Sequence, residues 1–334
     1  MTNAPAEFKL GQIGTRPEIC AVYGGSRNSG GIVPSVEPKN ITLFSDHEVG
    51  VTFGYHDGWL AEEDEFGPIF EYTGAGKKGH QTFTGKYGGN NAAVRDHVAA
   101  GRCLHLFVAV DTVPGTGTKR HRYVGEFTLD TAKPYVVRES LDEDKQPRRA
   151  IVFRLRPVGT VQRVAEDEIP AATVTGGKLV AAAITVCKLI EPEKNTKKKA
   201  KRSAVPEVEA QRREADLSDA FETYLTAQQH TVGRFQIKIK GRTSILLTDL
   251  YDQTDHVLYE LKGTNTREAV RMALGQLLDY GRYVKTDGHP EMPRRVVLLP
   301  SLPDEDLQEL LADHGIGIAY QDGDTFIGVP PSLS

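Results

Sequence analysis

The chain has 334 residues, and 41 basic against 45 acidic side chains leave a formal net charge of −4. That length predicts two domains more readily than one, and a hydrophobic share of 39% is enough for real cores. No run approaches the roughly 20 apolar residues that span a bilayer and MTNAPAEFKL is no basic-then-apolar leader, so a cytoplasmic protein with no membrane partner is expected. Residues 1–190 then hold seven β-rich runs: ICAVYG, ITLFSD, GVTFGY, PIFEYTG, LHLFVAV, RYVGEFTL and AIVFRLRPVG. One helix interrupts them, NNAAVRDHVAAG, ended by Gly101. Strands at such turn-separated spacing predict a β-rich barrel or sandwich. Gly24, Gly25, Gly30 and Gly31 make no nucleotide fold, because no GxGxxG stands between a strand and a helix.

Within this region GVTFGYHDGW (50–59) is followed by an acidic segment, AEEDEFG, and then by PIFEYTGAGKKGHQTF (68–83). Tyr55, Trp59 and Tyr72 bracket one acid, Asp57, and the basic residues Lys77, Lys78 and His80 follow on a glycine-rich loop. Taking a base out of a duplex needs such parts: flat rings to stack on it, a carboxylate to accept from the cytosine N4 amine, and donors for the flanking phosphates. The block resembles the SET- and RING-associated (SRA) domain, in which GY...D precedes an acidic stretch, a YTGxGG segment and a helix rich in Asn and Ala. Here GYHD is 54–57, YTGAG is 72–76 and GGNNAAVRDH is 88–97. The resemblance implies an α+β, barrel-like domain that flips 5-methylcytosine or an oxidised form. Tyr55 and Tyr72 would stack the flipped base, Asp57 would read its Watson–Crick edge and Trp59 would add a stacking face. The spacing from GY to the acid is short, so Asp64 is the alternative reader. Two loops are candidates for entering the DNA: GGSRNSGG with Arg27, and GTGTKRHR with Lys119 and Arg120 on an expected hairpin.

The net charge hides a gradient. Residues 1–190 carry 22 basic and 22 acidic side chains, 191–213 carry 8 and 4, and 214–334 carry 11 and 19. EKNTKKKAKRS (193–203) is nearly free of apolar residues and reads as a solvated linker that also suits phosphates. The expected organisation is therefore a reader domain at 1–190, a basic linker at 191–211 and a second domain at 212–334. Cys20, Cys103 and Cys187 are odd in number and widely spaced, which excludes a disulfide framework and a CxxC zinc site. The ten histidines show no paired metal spacing.

In the second domain, Leu217, Phe221, Tyr224 and Leu225 follow helical spacing, with Glu222 beside the stripe. Three β-rich runs come next, RFQIKIK (234–240), SILLTDLY (244–251) and HVLYELK (256–262), separated by GRT and DQTD turns. A helix over 266–284, a buried strand RRVVLLP, a helix DEDLQELLADHG and closing strands GIAY and TFIGV complete an αβββαβαβ order. With DQTD as the hairpin loop, Tyr251 opposes His256 and Asp249 opposes Leu258, so Asp249, Glu260 and Lys262 point to one side. Two carboxylates that are diagonal neighbours can share a divalent metal, and a lysine beside them can orient or deprotonate a water.

This order resembles the PD-(D/E)XK nuclease superfamily across residues 214–300, with its α/β core αβββαβ. The family's catalytic Asp, Glu and Lys match Asp249, Glu260 and Lys262, although Thr248 stands where the motif has proline. Gln276 and Tyr280 reproduce the QxxxY element of the recombination-exonuclease branch. The resemblance implies Mg²⁺ held by Asp249, Glu260 and the Leu261 carbonyl, with Glu222 as an additional helix carboxylate. Together the two resemblances imply a modification-dependent restriction endonuclease whose partner is double-stranded DNA carrying modified cytosine. Double-strand cleavage by one site per chain implies a homodimer or transient pairing on DNA. The alternative is a reader of methylated DNA with a degenerate nuclease domain.

Overall fold

In the computed structural model, residues 7–27, 30–53, 55–181 and 201–331 are described. They group into two units, Met1–Ala171 with Arg242–Ser244, and Ala172–Gly241 with Ile245–Ser334. The division falls before the expected linker because residues 176–181 pair as a strand with residues 233–238 of the second unit. Residues 191–200 of that linker lie outside the described residues, as do Asn28, Ser29 and Gly54. Its second half, 201–211, is the start of a helix.

In the first unit β1 (Ile13–Thr15) runs straight into α1 (Arg16–Tyr23). The Thr15 N–H and Oγ–H both donate to the Glu18 carboxylate, at 2.7 and 2.8 Å, and Pro17 occupies the first turn. These are helix-starting features, so the expected strand ICAVYG is helical through Tyr23. After β2 (Ile32–Pro34) and β3 (Asn40–Ser45), Asp46 accepts from the Glu48 and Val49 N–H groups and starts α2 (His47–Thr52). Such a cap stabilises a helix by about 1 kcal/mol, and the first half of the expected strand GVTFGY is accordingly helical. The remaining elements are β4 (Gly58–Trp59), β5 (Phe70–Thr73), α3 (Gly85–Arg95), β6 (Cys103–Thr112), β7 (Lys119–Leu129), β8 (Tyr135–Leu141) and β9 (Pro147–Pro157).

The sheet path is β2-β3-β6-β7-β9-β5-β4, with β1 on β7 and β8 on β9. Among the described residues its ends do not meet, so the expected barrel is corrected to an open, mixed nine-stranded sheet. The end strands have three and two residues, and β2 ends at Pro34, which lacks a ladder N–H. Among the described residues, β3 and β6 are the one parallel strand pair of this sheet, and the crossover between them carries α2, β4, β5 and α3. That crossover brings Ser45, Asp57 and Thr73 together.

The second unit begins with β10 (Gly176–Ala181) and α4 (Lys201–Ala227). It continues with β11 (Val232–Lys238), β12 (Ile245–Leu247), β13 (Leu250–Asp252), β14 (Val257–Leu261), α5 (Arg267–Tyr280), β15 (Arg294–Leu299), α6 (Glu305–Asp313), β16 (Gly317–Asp322) and β17 (Thr325–Ile327). The sheet order is β10-β11-β13-β14-β15-β16-β17, with β12 on β11. Alternation along β14 assigns its two faces. Val257, Tyr259 and Leu261 pack with Leu217, Phe221 and Leu225 of α4. Leu258 packs with Val270, Ala273 and Leu277 of α5.

Candidate functional site

The first candidate is centred on Asp57 in the N-terminal unit. Asp57, 8% exposed, accepts the Thr73 N–H on Oδ1 at 2.7 Å and the Ser45 hydroxyl on Oδ2 at 3.1 Å. Both donors are neutral, so burial dominates and lifts this carboxyl to about 6 from the usual 3.8. The half-buried Tyr55 ring stacks on Phe53, centroids 6.2 Å apart, and the Asp57 charge together with burial holds its hydroxyl above the ordinary range. Beside Asp57, His47 Nε2 lies 3.5 Å from Asp167, whose carboxylate raises the imidazole's pKa and also accepts from Arg122 at 2.6 and 2.8 Å. Arg148 donates to the Gly76 carbonyl and lies over the Phe53 ring.

Tyr72 and Trp59 do not fit the stacking role expected of them. Trp59 has no exposed surface and is clamped in the core by Phe70 and Phe127, with centroids at 5.3 and 5.8 Å. Tyr72, 2% exposed, donates to the Phe44 carbonyl at 3.2 Å. A Cβ at Gly31 would approach the Tyr72 hydroxyl to 2.8 Å, so glycine at 31 leaves the room for that oxygen. Asp64 is committed elsewhere, to a two-pronged pair with Arg156 at 2.6 and 2.8 Å that holds its pKa below the usual range. Of the expected pocket residues, Asp57 lies close enough to act on both the Tyr55 and Tyr72 hydroxyls; Tyr55 is half-buried, whereas Asp57 and Tyr72 are buried.

The basic residues divide into committed and uncommitted groups. Lys119 and Arg120 are not on a loop: the turn is Val113–Thr118, and both residues open β7. Lys119 Nζ contacts Glu48 at 2.6 Å and Asp46 at 3.3 Å, and Arg120 pairs with Asp111 opposite it. Lys78 meets Asp144 at 3.3 Å, both exposed, while His80 Nδ1 accepts the Arg149 N–H at 3.1 Å. Arg27 and Lys77 are exposed.

The second candidate lies at the carboxyl end of β14. The hairpin register differs from the expected one: Tyr251 opposes Leu258 and Asp252 opposes Val257, because Asp252 Oδ1 caps the turn by accepting from the Thr254 N–H at 2.9 Å. This two-residue slip preserves the faces and places Asp249, just beyond β13, opposite Glu260 rather than Leu258. Asp249 Oδ2 accepts the Leu261 N–H at 2.8 Å, and a strand residue's N–H and carbonyl face the same edge, so the Leu261 carbonyl faces the Asp249 side. Lys262 Nζ donates to Glu260 Oε1 at 2.6 Å.

Burial and the neighbouring Asp249 push the Glu260 carboxyl well above the usual range, whereas Glu260, Asp249 and Glu214 together outweigh burial and raise Lys262. By the alternation of β14 this triad is on the α5 side, where Gln276 and Tyr280 project. Gln276 hydrogen-bonds with Tyr280, and Tyr280 feels the charges of Glu260 and Asp249. The Gln276 Oε1 is buried with no partner.

Sequence reasoning missed Glu214, which accepts the Gly263 N–H at 3.3 Å immediately after the triad. The expected helix carboxylate, Glu222, instead faces Arg234 on the α4 side, where burial lowers the guanidinium pKa against the pull of Asp249 and Glu222. Glu214 is thus a second α4 carboxylate beside the triad. Glu214 and Glu222 are two turns apart on one helix, so periodicity alone does not choose between them.

The donor set suits a hard divalent cation: oxygen ligands from Asp249, Glu260 and the Leu261 carbonyl, and a buried carboxyl raised by its acidic neighbour that added positive charge would relieve.

Residues 11–174 match a family model described as the ScoMcrA-like SRA domain. No curated protein matches the chain. Among solved structures it is similar to the sulfur binding domain and SRA domain of ScoMcrA complexed with phosphorothioated DNA, at 26% identity and TM-score 0.34 over 46% of this chain and 41% of that one. It is also similar to the DNA recognition domain of the cytosine modification-dependent restriction endonuclease LpnPI, at 15% identity and TM-score 0.36 over 47% and 77%. A third is MspJI restriction endonuclease in complex with a 27-mer oligonucleotide, at 11% identity and TM-score 0.27 over 93% and 77%. The chain spans 41% and 29% of the two ScoMcrA structures it matches. Over residues 11–174, which include Tyr55, Asp57, Arg27, Lys77, Lys119 and Arg120, the N-terminal unit is thus similar to an SRA domain of the ScoMcrA-like type.

Proposed function

We propose that the chain is a modification-dependent DNA endonuclease: the N-terminal unit takes up a modified cytosine flipped from duplex DNA, and the C-terminal unit hydrolyses phosphodiesters with Mg²⁺. The observation that carries this reading is the convergence of Asp249, Glu260 and Lys262 on the α5 side, with Gln276 and Tyr280 facing them. Asp249, Glu260 and the Leu261 carbonyl would hold the ion, with Glu214 alongside. When bound, the ion polarises the scissile phosphate and makes a water nucleophilic at neutral pH. Lys262, held protonated by three carboxylates, orients that water and offsets the charge that builds on the phosphate during in-line attack. Gln276 and Tyr280 supply hydrogen bonds that position the phosphate. No covalent enzyme intermediate forms. In the reader, Tyr55 offers a stacking face and Asp57 accepts the N4 amine of the extruded base.

A second reading, a non-cleaving reader, is favoured by one observation: the Lys262–Glu260 ion pair satisfies the site internally. Matched duplexes carrying cytosine, 5-methylcytosine, 5-hydroxymethylcytosine or phosphorothioate linkages, each incubated with Mg²⁺ or with EDTA, separate the two. Mg²⁺-dependent cutting of one modified duplex is the expected result. Equal cutting of all duplexes would remove the reader role, and tight binding to one with no cutting would leave the second reading standing.

A further inference from the structure

Away from both sites, β6 and β7 present three metal-ligating side chains on one face. Cys103 and His105 are alternate residues of β6 and so share a side of the sheet, and Glu126 of β7 lies directly opposite His105. One ligand atom from each lies within 4.8 Å of the other two. The other face of the same strands, through Leu104, Leu106 and Phe127, is filled by the apolar core.

His105 is oriented for ligation. Its Nδ1 meets the Tyr123 hydroxyl at 3.0 Å, and the Tyr23 ring lies 4.4 Å from its centroid. Tyr123 reaches it because of a bulge: Leu106 pairs with Gly125 but Phe107 pairs with Tyr123. Without that extra residue, the three-residue step from Tyr123 to Glu126 would put them on opposite faces. Gly125 has φ of 144°, and a Cβ there would meet Val161 at 2.8 Å, so glycine is needed at the bulge. With Nδ1 engaged by a polar neighbour, Nε2 is the nitrogen left to ligate.

We propose that Cys103, His105 and Glu126 form a Zn²⁺ site with a water in the fourth position. A thiolate, an imidazole and one carboxylate select a borderline-soft ion over Mg²⁺ or Ca²⁺. Tetrahedral ligands at about 2.0 to 2.3 Å from zinc lie roughly 3.5 Å from one another, so side-chain adjustments of about 1 Å close the site. Burial holds His105 down to about 4, which keeps the ring neutral as a ligand must be. Burial and Glu126 raise the Cys103 thiol. Forming the Cys103 Sγ–Zn bond releases the thiol proton to solvent, so binding strengthens as pH rises.

The test uses the metal-free full chain with Mg²⁺ present to saturate the carboxylate site. Zn²⁺ is titrated against a colorimetric chelator, and Co²⁺ is added as a spectroscopic substitute. The expected result is one Zn²⁺ per chain and a thiolate-to-cobalt absorption band, which the thiol-free carboxylate site is unable to produce. Cys103→Ser should abolish the band and weaken Zn²⁺ binding at least tenfold, and Glu126→Gln should weaken binding while retaining the band. A Cys20→Ser/Cys187→Ser variant should keep both. Because Cys103 is exposed, an unchanged melting temperature in EDTA verifies that Cys103→Ser folds. Absence of the band in the wild type, or a band and affinity unchanged by Cys103→Ser, would overturn the proposal.

Discussion

Each unit buries a carboxylate at its candidate site, and the two are stabilised in different ways. Asp57 is held by a backbone N–H and a hydroxyl, both neutral, so burial outweighs its partners, His47 included, and raises its carboxyl to about 6. Glu260 is raised by burial as well, but it is also held by the Lys262 ammonium and crowded by Asp249, so charges of both signs act on its proton. A carboxyl of the first kind suits recognition, because a ligand amine can replace missing positive character without displacing a salt bridge. A carboxyl of the second kind suits metal chemistry, since the local charge balance changes only when a cation arrives.

Breaking the charged site should give the largest effect. Lys262→Ala is expected to lower Mg²⁺-dependent cleavage of modified duplex by roughly 10² to 10⁴-fold, the range for a positioned proton-transfer or charge-stabilising group, while gel-shift affinity for the same duplex stays within about twofold. Loss of binding in parallel with cleavage would mean that Lys262 acts through the fold. Comparable in energy but different in kind is Trp59→Ala, which empties a fully buried site and should cost about 3 to 5 kcal/mol of stability in thermal or urea unfolding. Tyr55→Ala should do the reverse, weakening modified-DNA binding by about 1 to 3 kcal/mol, the size of a lost base stack, with little loss of stability.

The contrast between these aromatics shows what was legible in the sequence. Alternation located β3, β5, β6, β7, β9, β11 and β14 to β17, read β12 and β13 as one strand and missed β10; parity put Asp249, Glu260 and Lys262 on one side even though the hairpin register was two residues off. The helices α1 and α2 were read as strands, because their apolar content masks the caps at Thr15 with Glu18 and at Asp46. Ring identity does not reveal burial, hence Trp59. Asp57 gets its character from Ser45 and Thr73, 12 and 16 residues away, and Glu214 and the Cys103–His105–Glu126 cluster likewise depend on which distant strands end or pair beside one another. Those are tertiary facts with no local pattern.

Titration sharpens the comparison at somewhat lower energy. Asp57 has a folded pKa of about 6 against an ordinary 3.8. The neutral carboxyl is therefore the form that favours folding: its contribution is fully present below about 3.8 and is lost as pH rises through 6, amounting to about 3 kcal/mol. Asp57→Asn keeps an acceptor for the Thr73 N–H and a partner for Ser45 but has no charge to bury. In calorimetry the melting difference between Asp57→Asn and wild type should move in favour of the variant between pH 5 and pH 8. A constant difference across that range would show that Asp57 ionises without penalty. Under the proposed function, wild-type affinity for modified DNA rises through the same interval, since the anion is the better acceptor for an amine.

The smallest effects separate committed from uncommitted basic residues. Lys119 already contacts Glu48 and Asp46, so a phosphate has to compete with two carboxylates for it, whereas the exposed Lys77 is bounded by a glycine-rich turn. Each phosphate contact contributes close to one unit to the slope of log affinity against log salt. Lys77→Ala should lower that slope by about 1 and weaken binding alike for modified and unmodified duplexes. Lys119→Ala should leave the slope nearly unchanged and shift stability by only about 0.2 to 1 kcal/mol, the range of an exposed ion pair. If the two variants exchange these behaviours, DNA recruits Lys119 away from α2, and the reader's approach to the duplex runs along the β6–β7 hairpin rather than over the loop that follows β5.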